Sequence, residues 1–209
     1  MQGIKSFIPT ARKVAYIQSL LRVGFDTIDF GSFVSARAIP QMQDTTEVLA
    51  QLDLSQTKSK LLAIIANTQG AIAASAHKEI QYLGFPFSIS ETFQQRNTNA
   101  SIEDAYEQLK HIQDLCIKYK KELVVYISMG FGNPYGDPYH EEIVLEWAQK
   151  ISSLEIKTIS LADTVGLASS FQVGSLTQQL INSLTQIEIG VHLHSTADNW
   201  KEKLDAALD

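Results

Sequence analysis

His192 and His194 are separated by one residue in the apolar run Ile187 to His194 (IEIGVHLH). In an extended strand, residues i and i+2 face the same side, so the two imidazoles project together. Neutral imidazole donates a lone pair to divalent metals, and two on one face would form half of a metal site. Such a pair also occurs at structural or merely exposed positions. Two carboxylates close other strand-like runs. Asp29 lies in Thr27-Ile28-Asp29 before Phe30-Gly31-Ser32, and Asp163 lies in Ser160-Leu161-Ala162-Asp163 before Thr164-Val165-Gly166. Either one alone reads equally well as an aspartate capping the next helix. Three strand ends carrying Asp, Asp and a histidine pair at one mouth are harder to explain by capping. A metal with a carboxylate nearby can polarise a substrate oxygen and move a proton.

The elements that must position these groups alternate along the chain. Helical spacing marks Thr10 to Val23, where Val14, Ile17, Leu20 and Leu21 recur and Gly24 ends the run. Further helices are expected at Asp44–Leu52, Gln69–His77, Ser101–Lys120, Tyr139–Ser152, Phe171–Leu184 and Asp198–Leu208. Strands are expected at Phe25–Phe30, Lys60–Ala66, Glu79–Phe85, Leu123–Met129, Ile156–Leu161 and Ile187–His194. Pro86 to Ala100 reads as a long polar loop whose Arg96 could position an anionic group, or as a solvated segment. Gly130 to Pro138 reads as a turn-rich loop that could cradle a phosphate but lacks the P-loop lysine pattern. Asn67-Thr68 and Ser101-Ile102-Glu103-Asp104 read as helix N-termini. Trp147 and Trp200 read as packing residues.

Alternation of this kind means βα units around a parallel sheet. A doubly wound sheet would want G-x-G-x-x-G after its first strand, and none is present. Short uniform strands with polar groups at their C-terminal ends favour a (β/α)8 TIM barrel. Six strands are expected where eight close a barrel. The reading is therefore one partial TIM-barrel catalytic domain over residues 1–209, with the first and eighth strands missing, as in a fragment of a longer product.

The 209 residues suffice to bury a core without disulfides. A net charge of −6 argues against nucleic acid or an anionic membrane as partner. One cysteine, Cys116, excludes an internal disulfide and reads as a buried packing residue. No run is long enough for a transmembrane helix, and no signal-peptide pattern opens the chain, so the expected location is cytoplasmic.

Five stretches together resemble the 3-hydroxy-3-methylglutaryl-CoA lyase family, within the metal-dependent lyase and Claisen-type acyltransferase barrels. They are Phe25 to Ser35 (FDTIDFGSFVS), Ile39 to Leu49 (IPQMQDTTEVL), Ser90 to Phe93 with Ser101 to Glu103, Ile159 to Gly166 (ISLADTVG) and Val191 to His194 (VHLH). They occur in the family's order over nearly the whole chain.

The resemblance implies retro-Claisen cleavage of a 3-hydroxyacyl-CoA thioester with Mg²⁺ or Mn²⁺, a homodimer when full length, and a place in leucine degradation and ketone-body formation. It implies His192 and His194 as metal ligands and Asp29, Asp163 and His192 as catalytic residues. Ser32, Tyr126 and Ser160 would lie near the substrate or its thioester. Asp163 and His192 both stand as candidates for the base. Three departures accompany the match. Asp29 stands where the family usually has glutamate. The family's Arg-Asp pair ending its first strand is absent, Met1-Gln2-Gly3 matching the stretch just downstream, and its Gly-Gly-Cys-Pro loop and ligand Asn would fall beyond Asp209. Ser195-Thr196-Ala197-Asp198 replaces the usual Asp-Thr after the second histidine. Two other readings stand beside this one: a condensing enzyme of the same superfamily joining acetyl-CoA and an α-keto acid, and a non-catalytic fragment. The chain as it stands is expected to have little or no lyase activity.

Overall fold

The apolar runs form six strands: β1 (Thr27–Ser32), β2 (Lys60–Ile64), β3 (Ile80–Ser88), β4 (Glu122–Ser128), β5 (Thr158–Asp163) and β6 (Glu188–Leu193). Eight helices connect them: α1 (Thr10–Val23), α2 (Thr45–Ala50), α3 (Thr68–Ser75), α4 (Glu91–Thr98), α5 (Ile102–Tyr119), α6 (Glu141–Ser152), α7 (Ser170–Ser183) and α8 (Trp200–Leu208). This is a computed structural model describing Met1 and residues 4–208. Gln2, Gly3 and Asp209, on which part of the expected family alignment falls, lie outside the described residues.

The strand order is β1-β2-β3-β4-β5-β6, with parallel pairing. Strictly sequential order distinguishes a (β/α)8 barrel from a doubly wound sheet, whose order reverses at a switch point. The fold is an incomplete (β/α) barrel, as the alternation predicts.

The chain divides into two compact units: Met1–Gly84 with Leu115–Glu122, and Phe85–Asp114 with Leu123–Asp209. In the first, α1 buries Ile17 and Leu21, each contributing roughly 1.5–3 kcal/mol on leaving water. The same helix buries Lys13, whose ammonium meets Asp44 at 2.5 Å and the carbonyl of Gln41. Gln41, from the Pro-Gln-Met motif, holds the preceding segment through Ile8 N–H at 2.8 Å and the carbonyls of Ile4 and Ser6. That motif is a structural clasp here. Cys116 is buried, and burial pushes its thiol up to about 12, so it is an inert packing residue.

In the second unit, Trp147 packs against Phe87 and Tyr106, as expected, whereas Trp200 is half exposed. The loop expected at Pro86–Ala100 is in fact the end of β3 followed by α4. Complete burial of Phe85 and Phe87 outweighs the break that Pro86 suggests. Helix α4 is too polar to show periodicity, and Asp137 anchors its start instead. The Asp137 carboxylate accepts from Ser90 Oγ at 2.5 Å, Thr92 N–H at 2.9 Å and Thr92 Oγ1 at 2.8 Å. The expected caps form: Asn67 accepts from Gly70 N–H, and Ser101 and Asp104 bond each other reciprocally.

Candidate functional site

Register places the second unit's candidates in rows. Tyr126 pairs with Ser160 and Ser160 with Gly190, forming one row across β4, β5 and β6. Two residues nearer the C-terminal strand ends, Ser128, Ala162 and His192 form the next row. Paired residues in a sheet share a face and alternate residues repeat it, so Tyr126, Ser160 and His192 line one face. His194 follows two residues later, just past the end of β6. The rings of His192 and His194 lie 5.2 Å apart at 55°, and the Tyr126 ring meets His192 edge-on at 5.9 Å. Gly190 leaves the space beside Ser160 open: an added Cβ would stand 3.7 Å from its hydroxyl.

Burial pulls the His192 pKa below the ordinary histidine value, the neighbouring His194 charge adds to this, and Asp163 opposes it. His192 keeps exposed surface. The neutral form is the one that donates a lone pair.

Asp163 behaves differently. It pairs with Leu193, in the register alternate to Ala162 and His192, so its side chain points to the opposite face of the sheet. There its Oδ2 accepts from the Lys203 ammonium of α8 at 2.7 Å and its Oδ1 from Ala168 N–H at 3.1 Å. Both residues are at least 98% buried. Lys203 also donates to the His194 carbonyl at 3.0 Å. Sequence reading missed Lys203. The available signal was a charged residue three after Trp200 and four before Ala207, where a helix-facing apolar residue would be expected.

In the first unit, Asp29 and Ser32 are three residues apart, which in a regular strand would place them on opposite faces. A register shift between Asp29 and Gly31 changes this: Asp29 pairs with Leu62 and Ser32 with Ile64, residues of one face. The bulge therefore brings both onto one side. Burial pushes the Asp29 carboxyl up to about 6, against the lowering effect of the N-terminal ammonium. Asp29 nevertheless presents exposed surface to water. Ser32 is buried, and its hydroxyl has no hydrogen-bond partner among the described residues. It borders a cavity of about 390 Å³ lined also by Phe33, Met42, Thr45, Asn67 and Gly70.

The histidine pair fits a divalent metal as two donors: the rings are adjacent, share a face and retain exposed surface. Among the described residues no group of three or more His, Cys, Asp or Glu side chains is gathered to hold an ion. The pair offers two of the donors that such an ion would need.

The HMGL-like family model matches residues 1–198. The chain belongs to the HMGL-like family. It is 31% identical over 201 residues to the 3-hydroxy-3-methylglutaryl-CoA lyase, cytoplasmic, of Danio rerio, covering 94% of this chain and 58% of that relative. It is 26% identical to the 3-hydroxy-3-isohexenylglutaryl-CoA/hydroxy-methylglutaryl-CoA lyase of Pseudomonas aeruginosa, covering 100% of this chain and 69% of that one. The chain thus spans little more than half the length of the Danio relative. The solved HMG-CoA lyase of Acinetobacter baumannii, in complex with coenzyme A and 3-methylmalate, superimposes with a TM-score of 0.91 at 26% identity, over 99% of this chain and 67% of that one. The carboxyl transferase domain of Rhizobium etli pyruvate carboxylase, at 15% identity and a TM-score of 0.71 over 96% of this chain and 35% of that one, shares the fold alone. The HMGL-like match agrees with the resemblance carried by the strand-end motifs. No helix among the described residues is long and apolar enough to cross a membrane.

Proposed function

We propose that this chain serves carbon–carbon bond cleavage of 3-hydroxy-3-methylglutaryl-CoA, or a close 3-hydroxyacyl-CoA, to acetyl-CoA and acetoacetate. The observation that carries the reading is the His192–His194 pair, with Tyr126 against it, on one face at a strand end of an HMGL-like chain. His192 and His194 would hold Mg²⁺ or Mn²⁺, which when bound supplies Lewis-acid polarisation of the substrate's oxygens. The reaction itself removes the proton of the tertiary hydroxyl and breaks the bond between C2 and C3. The electron pair goes to the acyl-CoA enolate, and a proton returned to C2 completes acetyl-CoA, while C3 becomes the ketone of acetoacetate.

The chain's own groups divide this work. Asp163 is engaged on both oxygens by Lys203 and Ala168, which argues against its role as base and gives it one in shaping the strand end. Asp29, with its carboxyl pushed towards neutrality, is suited to take up and return a proton at a carboxylate oxygen. Neutral His192 serves as a donor to the metal and stands as the other candidate base. Tyr126 and Ser160 orient substrate below the histidines, and Ser32 offers a hydroxyl without a protein partner among the described residues. We place the chain in the cytoplasm, as a homodimer, acting on a thioester and on neither nucleic acid nor membrane. The single cysteine and the acidic charge support that placement.

Two imidazoles hold a metal weakly compared with a completed set, so turnover by these 209 residues is expected to be slow. Incubation with the thioester and Mn²⁺, followed by coupled detection of acetoacetate, tests this. Slow, metal-dependent release that His194→Ala abolishes supports the reading. Release at ordinary enzyme rates contradicts the half-site, and metal-independent release contradicts the mechanism.

A further inference from the structure

We infer that Lys203 is a positioning residue: it fixes the backbone of His194 at the open end of β6 and so sets the direction of the second imidazole. The inference deepens the half-site reading above and rests on it only for the metal. The β5–β6 ladder ends with the pair Asp163 and Leu193, so the His194 carbonyl lies beyond the last strand pairing. Lys203 takes the place of that pairing. From α8 its ammonium bonds the His194 carbonyl at 3.0 Å and Asp163 Oδ2 at 2.7 Å, tying the end of β5 to the residue after β6.

A lysine buried to 2% exposure needs compensating partners, and here they are two groups at adjacent strand ends. Asp163 is held in turn by Ala168 N–H, and its carbonyl accepts from Gly166 N–H at 3.2 Å. Gly166, at φ +75, sits against His194: a Cβ there would stand 3.6 Å from the His194 carbonyl and 3.9 Å from its Cβ. His194 is thus lodged between the Gly166 turn and the Lys203 ammonium. Helix α8 reaches this place by close approach to α7, where Gly174 leaves only 3.0 Å between a notional Cβ and the Ala206 carbonyl. Groups that orient a metal-binding histidine through its surroundings typically change metal affinity about 10–100-fold when removed.

The test compares the full chain with Lys203→Met, each first checked for a cooperative thermal transition. The readouts are the NMR signals of the two imidazoles without metal and the affinity for Mn²⁺. The expected result is a His194 signal moved and averaged towards that of a free histidine, a His192 signal little changed, and Mn²⁺ affinity about tenfold lower or more. A folded Lys203→Met protein with a parental His194 signal overturns the inference. If Lys203→Met does not fold, Gly174→Ala, which displaces α8 slightly with Lys203 intact, must shift His194 more than His192; an unmoved His194 overturns it. Should the parent bind no Mn²⁺ through its histidines, the metal reading fails, while the metal-free signals still decide the role of Lys203.

Discussion

The His192 ring stands edge-on to the Tyr126 ring, with centroids 5.9 Å apart and planes at 82°. An aromatic contact of this kind contributes about 0.5–1.5 kcal/mol beyond area burial, and it also keeps water from one side of the imidazole. Tyr126→Ala is expected to move the His192 pKa up towards the ordinary histidine value, because burial is the main cause of its depression. An NMR titration of the two imidazoles reads this directly. An unchanged His192 would show that the shielding comes from elsewhere.

Asp29 gives a pH signature of the opposite kind. Its carboxyl is raised in the folded state, to about 6 from 3.8. The folded state therefore binds more protons between those values, and the group costs stability as pH rises through that window. Asp29→Asn removes the cost. The variant should gain on the parent in denaturant midpoint as pH rises from 4 to 7, with little difference below pH 4. A constant difference across the range contradicts the assignment.

Lys13 and Asp44 make a buried pair at 2.5 Å, with side chains 2% and 5% exposed. Breaking it from one side strands a charge, so Asp44→Ala is expected to cost about 3–5 kcal/mol in urea unfolding. For Asp44, burial alone raises the pKa. The hydrogen bonds from Lys13 and Thr10, the Lys13 charge and the residue's own N–H together outweigh it and lower the value. A depressed carboxylate stabilises the fold above its unfolded pKa and loses that contribution as pH falls through its folded pKa. In Lys13→Met, which lacks the partner, that loss should be smaller, so the stability gap between parent and variant narrows as pH falls through this range.

Gly70 is needed for space. A Cβ at this position would stand 2.5 Å from the Phe33 carbonyl, a backbone atom with no room to rotate away. Gly70→Ala should lower stability by roughly 1–3 kcal/mol, read as a melting temperature about 2–4 °C lower per kcal/mol. Gly24→Ala meets nothing within 4 Å but is strained by φ +87, and should cost about 1 kcal/mol.

Periodicity in the sequence was sufficient for the six strands, seven of the helices and the histidine pair, because each is a local pattern. Helix α4 escaped it because Ser90, Thr92 and Asp137 hold a polar segment through contacts 45 or more residues apart. The bulge that puts Asp29 and Ser32 on one face is a property of pairing with β2, which no single strand encodes. Asp163 read as a catalytic candidate from its place at a strand end. Its place one residue after Ala162 sends it to the opposite face, and only the fold brings Lys203, 40 residues away, to meet it.

We propose above all that His192 and His194 act together as metal donors. Mn²⁺ titration followed by electron paramagnetic resonance tests it most directly, on the parent chain and on His192→Ala and His194→Ala. One weak site per parent chain is expected, lost in either variant while both variants keep the parental thermal transition. Binding that survives both substitutions, or a parent chain that binds no Mn²⁺, would contradict it.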